Sequence, residues 1–231
     1  MRIEILFPEF CNLFGDMYNM RYLKMCVPEA EFIETALDEV PAFVNEDINL
    51  IYLGPMTEKT QEKVIKRLMP YKERIEELIE KNVFFLFTGN AVEVLGKYIE
   101  NEDGSKIEGV GIFDVYAKRD MMHRHNSYMV GMYGNIEIVG FKSQFTMMYG
   151  DNSNEYFLEV EKGIGINEKS KLEGIKKNNF IGTYLLGPIL IENPLFTEKV
   201  LQAIGAKEDI ALREDTIAAY EARLKELKKL A

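Results

Sequence analysis

The 231-residue chain is 47% hydrophobic and 29% charged, an ordinary globular composition at a length that fits one generous α/β domain or two small ones. A formal net charge of −10 argues against nucleic acid or an anionic membrane as partner, since either needs a basic face. No apolar run approaches the ~20 residues of a membrane span, residues 1–4 lack the features of a signal peptide, and Cys11 and Cys26 alone make no disulfide framework. A cytoplasmic protein in a reducing compartment is expected.

Residues 2–7 alternate and then run apolar, a first strand that Pro8 stops. Asp16 follows as a candidate N-cap, with Met17, Met20, Leu23 and Lys24 at helical spacing behind it. A second strand is expected over 31–37 and a third, apolar throughout, over 48–54, ended by Gly54-Pro55. The stretch 57–81 is helical, with Val64, Ile65, Leu68, Ile75, Leu78 and Ile79 on one side, and Pro70 divides or kinks it. Val83 to Phe87 is a short continuous apolar run, the signature of a strand buried on both faces. At Thr88-Gly89-Asn90 this strand turns, and a helix is expected from Ala91 to about Tyr98. Strand, tight turn and helix N-terminus form the elbow on which many α/β enzymes mount a nucleophile. Gly89 suits the strained backbone of such a turn.

Beyond Glu100 a turn leads into short alternating pieces between about 110 and 160, among them 112–116, 127–133 and 136–141, with Gly134-Asn135 as a hairpin turn. Another apolar strand is expected over 180–190. Asn193-Pro194 opens a helix to about Ile204, with proline at its favoured first position. The tail from Asp209 carries Ile210, Ile217, Tyr220, Leu224 and Leu227 at three-and-four spacing. Strands alternating with helices predict an α/β fold: a doubly wound, mostly parallel sheet with an antiparallel extension. One domain over 1–206 is expected, with 207–231 a C-terminal amphipathic helix that packs on it or docks on a partner.

Three segments in order, Leu13-Phe-Gly-Asp-Met-Tyr-Asn19, the elbow Thr88 to Lys97 followed by 108–116, and Gly182-Thr-Tyr-Leu-Leu-Gly-Pro-Ile-Leu190, resemble the class I glutamine amidotransferases of the cobyric acid synthase (CobB/CobQ) type. The likeness runs to about residue 204. It implies a flavodoxin-like fold, glutamine as the nitrogen source and, for the branch that amidates the cell-wall precursor lipid II, a Mur-ligase-like (MurT-type) partner subunit. In that family a Cys on the elbow attacks glutamine and a His in Gly-Thr-Tyr-Leu-His-Gly-Pro serves as base. Here those positions are Gly89 and Leu186, and the family's Gln position is Glu93. Of the family's glycine-rich loop after the third strand only Gly54 remains, followed by Pro55, which has no N–H to donate.

Glutamine hydrolysis needs a thiolate and a base, so the resemblance implies a catalytically degenerate protein that keeps a binding or regulatory role. Two other readings stand beside it: a working amidotransferase subunit using non-standard residues, and a small-molecule sensor using the old glutamine cleft. Gly54, Asn90, Glu93 and Gln144 are the candidate ligand-binding residues, the middle two because helix N-terminal N–H groups hold anions. Cys11 could be put forward as a replacement nucleophile, but it lies away from the elbow and reads as a packing residue. His123 and His125 form a His-x-His pair without a third ligand, so no metal is expected. The cluster Met121, Met122, Met129, Met132, Met147 and Met148 reads as core before it reads as an adaptable surface. No phosphate loop of the Walker type occurs, and no cofactor is expected.

Overall fold

The computed structural model describes residues 1–229. The first part of the chain folds as β1 (Arg2–Leu6), α1 (Tyr18–Cys26), β2 (Glu31–Thr35), β3 (Leu50–Leu53), α2 (Glu58–Leu68), α3 (Lys72–Glu80) and β4 (Phe84–Thr88). Next come β5 (Tyr98–Glu100), β6 (Lys106–Glu108), β7 (Val115–Arg119) and the long hairpin of β8 (His125–Tyr133) and β9 (Ile136–Gln144). After β10 (Thr146–Gly150), β11 (Leu158–Lys162) and β12 (Leu172–Glu173), the chain returns through β13 (Ile175–Lys177) and β14 (Phe180–Thr183). It continues into α4 (Ile189–Glu192), α5 (Pro194–Ala203) and α6 (Arg213–Lys229).

The central sheet has six strands in the order β13-β14-β4-β3-β1-β2, parallel except for the β13–β14 edge pair. This is the mostly parallel sheet with an antiparallel extension that the sequence predicts. Its central strands β3 and β4 carry apolar residues over Leu50–Leu53 and from Phe84 to Phe87 because both faces are covered. Leu53, Phe85 and Phe87 pack with the apolar sides of α2 and α3, while Leu50, Phe84 and Leu86 pack with Leu23 of α1 and Phe196 of α5. Adjacent residues on one strand therefore serve opposite layers.

Several details differ from expectation. The extension is the single strand β13; the other hairpin strands form two separate four-stranded sheets, β10-β7-β5-β6 and β12-β11-β8-β9. An isolated bridge, Phe141 to Leu186, pairs the latter with the segment that follows β14. The strand expected over 180–190 ends at Thr183, and that expected over 112–116 runs over Val115–Arg119. The methionine cluster divides: Met129 and Met148 are buried, Met121 and Met122 exposed. Pro70 does separate α2 from α3, within a single 3₁₀ turn. At the C-terminus Tyr220 and Leu227 of α6 pack on Val130 and Val139 of the β8–β9 hairpin, and the Tyr220 hydroxyl donates to the Glu137 carbonyl at 2.8 Å.

Candidate functional site

At the carboxyl end of β4 the chain does turn as expected. Gly89 has φ +58, the left-handed backbone that a nucleophile elbow requires and that glycine adopts without strain. The helix expected behind it is instead a seven-residue 3₁₀ run, Gly89–Leu95, leading directly to β5. Val92 and Leu95 are buried in the core, and the sequence reaches Gly96 before an α-helix could establish itself.

Gly89 and Leu186, the positions that the resemblance assigns to nucleophile and base, meet in space. A Cβ built on Gly89 would lie 3.2 Å from Leu186 Cδ2 and only 2.6 Å from Pro55 Cβ. The second distance is closer than real Cβ contacts come, so the place where a cysteine side chain would begin is occupied by the proline ring. Leu186 itself is aliphatic and 2% exposed.

The hydrogen bonds around the elbow are equally committed. Asn90 clamps the segment after β3: its Oδ1 accepts from the Met56 N–H at 3.0 Å, and its Nδ2 donates to the Met56 carbonyl at 2.8 Å. The Met56 N–H is thereby taken, and its neighbour Pro55 has none to offer. Glu93 is buried and accepts from Gln61 Nε2 at 2.8 Å, the Tyr184 hydroxyl at 2.8 Å and the Thr146 hydroxyl. Burial pushes its carboxyl pKa up, while the Thr146, Gln61 and Tyr184 bonds and the Arg119 charge oppose that shift. Gly54 is a glycine because the Cys11 carbonyl passes against it; a Cβ there would strike that oxygen. Thus Gly54, Asn90 and Glu93 are used inside the fold, and Gln144, also buried, donates through Nε2 to the Thr146 carbonyl at 2.6 Å. A cleft of about 150 Å³ persists at the elbow, walled by Phe14, Pro55, Gly89, Gln144, Phe145 and Leu186. That is well below the ~300–1,000 Å³ of ordinary ligand pockets.

Beneath the elbow lies a cluster whose role the sequence did not disclose. Asp16 is 1% exposed and does not cap α1; its Oδ2 accepts from the Tyr52 hydroxyl at 2.7 Å and from the Thr88 hydroxyl. It joins the ends of β3 and β4 to the loop after β1. Desolvation raises its pKa to about 6 against the hydrogen bonds from Thr88 and Tyr52. Glu192, close enough to repel Asp16, is raised by burial to about 7 although Arg223 Nη1 lies 2.6 Å from its carboxylate. Only the Leu13 to Asn19 motif hinted that Asp16 mattered.

The remaining candidates have neighbours of their own. Cys11 is fully buried with Sγ 3.8 Å from Met56 Sδ, and burial pushes its thiol up to about 12, which suppresses the nucleophilic thiolate. His123 Nδ1 faces the Asp120 carboxylate at 2.9 Å and His125 Nε2 faces Ser127 Oγ at 3.0 Å. Among the described residues no group of three or more His, Cys, Asp or Glu side chains could hold a metal ion.

The model of the CobB/CobQ-like glutamine amidotransferase domain matches residues 2–194, most of the chain. The chain belongs to that family. Among its relatives is the GatD subunit of the glutamine-hydrolyzing lipid II isoglutaminyl synthase of Staphylococcus aureus (strain N315), 27% identical over 201 residues, covering 86% of this chain and 82% of the relative. The corresponding GatD subunit of Streptococcus pneumoniae (strain ATCC BAA-255 / R6) is 26% identical over 203 residues, covering 84% and 76%. A solved structure titled as a glutamine amidotransferase superposes with a TM-score of 0.60 at 11% identity, covering 88% of this chain and 99% of that one, which supports the fold. This amidotransferase-family chain thus keeps the elbow's backbone and presents Gly89 and Leu186 at its centre. No helix of the described residues is long and apolar enough to cross a membrane.

Proposed function

We propose that this chain is a catalytically degenerate amidotransferase-like subunit that no longer hydrolyses glutamine and acts as a binding or regulatory partner of a Mur-ligase-like amidating enzyme. The observation that carries the reading is the contact of Pro55 and Leu186 with Gly89. A missing nucleophile alone could be compensated from nearby; a nucleophile position filled by neighbouring backbone and side chain leaves no space for glutamine's amide to be attacked. Loss of either member of such a pair costs on the order of 10⁶ in turnover, and the losses do not add. The two relatives are named as subunits of a lipid II isoglutaminyl synthase, which supports a subunit role; the Mur-ligase-like partner is what the resemblance implies. A replacement mechanism through Asn90 and Glu93 has little support, because their polar atoms are already paired.

The test is glutamate release from glutamine by the purified chain, alone and with its candidate ligase. No turnover is expected in either case. Turnover that persists when Cys11 and Cys26 are both replaced by alanine would overturn the proposal. Co-purification with the ligase is the expected sign of the retained subunit role.

A further inference from the structure

The two edges of the central sheet end differently. At β13 the outward backbone is used, since the Lys176 N–H donates to the Glu155 carbonyl at 2.6 Å. At β2 the Glu31 N–H donates to the Met1 carbonyl at 3.0 Å, and the Thr35 carbonyl accepts from the Phe7 N–H at 2.8 Å. These bonds fix the alternation along the strand: Glu31, Ile33 and Thr35 turn their backbone groups to β1, whereas Phe32 and Glu34 turn theirs away from the sheet. Among the described residues nothing hydrogen-bonds to the N–H or carbonyl of Phe32 or Glu34. Such an edge is a template for one more strand.

The side chains beside that edge identify the strand that fits. Phe32 and Glu34 point to the α1 side, where they line a groove of about 380 Å³ with Met17, Arg21 and Lys24. The Lys24 Nζ lies 5.7 Å from the Phe32 ring centre, and Lys24 and Glu34 are both exposed. In an antiparallel pairing of β2 with itself about Ile33, Phe32 of one copy stands opposite Glu34 of the other. Opposite residues share a face with Cβ atoms about 5 Å apart, so that Glu34 comes to the Lys24 ammonium beside Phe32. The two-fold axis makes this contact twice. In the same register Phe32 and Glu34 exchange both N–H···O bonds, which uses the free backbone groups of both edges. Charges on a short edge strand normally repel other strands; here Glu34 meets a lysine, and Glu31 is already held by Arg2 at 2.8 Å.

We propose that β2 pairs antiparallel with β2 of a second copy of this chain, joining two six-stranded sheets across a two-fold axis at Ile33. The contact is isologous and closes at two copies. Each chain carries a net charge of −10, and that mutual repulsion makes the dimer reversible and concentration-dependent.

Sedimentation velocity of the full chain over a concentration series, near pH 7 at physiological salt, tests this. A monomer–dimer equilibrium is expected. Amide exchange read residue by residue by NMR should slow at Phe32 and Glu34 in the dimer relative to the dilute monomer. Ile33 and Thr35, bonded to β1 in both states, should not change. Lys24→Glu and Glu34→Lys should each weaken the dimer about tenfold or more, because each turns two attractions into two repulsions. The double variant, with both reversals in one chain, should restore it. Glu34→Pro removes only an outward N–H, which an edge strand tolerates, and should leave a folded monomer with an unchanged melting temperature. A chain that stays monomeric at every concentration, or a dimer that the charge reversals neither weaken singly nor restore together, would overturn the proposal. So would protection of Phe32 and Glu34 that appears only when the candidate ligase is added, which would give the edge to a different protein.

Discussion

At the scale of single residues, Gly89 separates two properties that a nucleophile elbow usually unites. The backbone still takes the left-handed turn, while the side-chain space is closed by Pro55. Restoring a cysteine would therefore meet both penalties: a non-glycine residue at positive φ costs about 1–2 kcal/mol, and forcing atoms into filled space costs about 1–3 kcal/mol. Gly89→Cys should lower the unfolding free energy by roughly 2–5 kcal/mol in chemical denaturation. Pro55→Gly should relieve the steric part, so the double variant should be more stable than the sum of the single effects predicts. Purely additive losses would show that Pro55 is not what fills the site. Adding Leu186→His to Gly89→Cys should still give no glutaminase activity, because the Met56 N–H remains bonded to Asn90 and Pro55 still lacks one. Measurable glutamate release from that variant would mean that only the two side chains had been lost.

At the scale of elements, what was legible followed from periodicity. The run 83–87 announced a strand covered on both faces and 48–54 an apolar one beside it, and the central strands β3 and β4 bear this out. The elbow and the meeting of Gly89 with Leu186 were legible because three motifs fell in order. Asp16 was misread because an acidic residue ahead of a helical pattern looks like a cap; only the fold reveals Tyr52 and Thr88 arriving beside it from other strands. The elbow helix failed for a related reason: the apolar residues Val92 and Leu95 fit helical spacing equally well as a short 3₁₀ run plugged into the core. Hairpin strands were visible between 110 and 160, but their division into two sheets depends on long-range pairing that alternation does not encode. The tail helix was visible as a stripe, and its docking is the testable part. Tyr220 is 8% exposed and hydrogen-bonded across to β9. Tyr220→Ala should cost roughly 2–4 kcal/mol and make α6 an early site of limited proteolysis. A neutral substitution would mean the helix contributes little to the stability of the hairpin it covers.

At the scale of the whole molecule, the Asp16 and Glu192 carboxyls join the floor of the elbow to the C-terminal helix, because Arg223 of α6 reaches Glu192 and Thr88 of β4 reaches Asp16. Both carboxyls are raised in the folded state, to about 6 from 3.8 and to about 7 from 4.5. The sign is opposite to that of a surface ion pair. Between the unfolded and folded pKa values the native state holds protons that the unfolded chain has released, so stability from these groups is full below about pH 4 and is lost as pH rises through 6 to 7. A tenfold change in proton affinity is worth about 1.4 kcal/mol, which puts the Asp16 contribution on the order of 3 kcal/mol, and mutual repulsion makes the two contributions non-additive. Asp16→Asn keeps an acceptor for Tyr52 and Thr88 but removes the charge. Relative to wild type it should gain stability steadily between about pH 4 and pH 6, and the gain of Glu192→Gln should continue up to about pH 7. Urea unfolding at a series of pH values reads this difference directly. A wild-type minus Asp16→Asn difference that stays flat across the range would show that Asp16 ionises in the folded protein as it does in the unfolded chain, and that the elbow floor is solvated rather than dry.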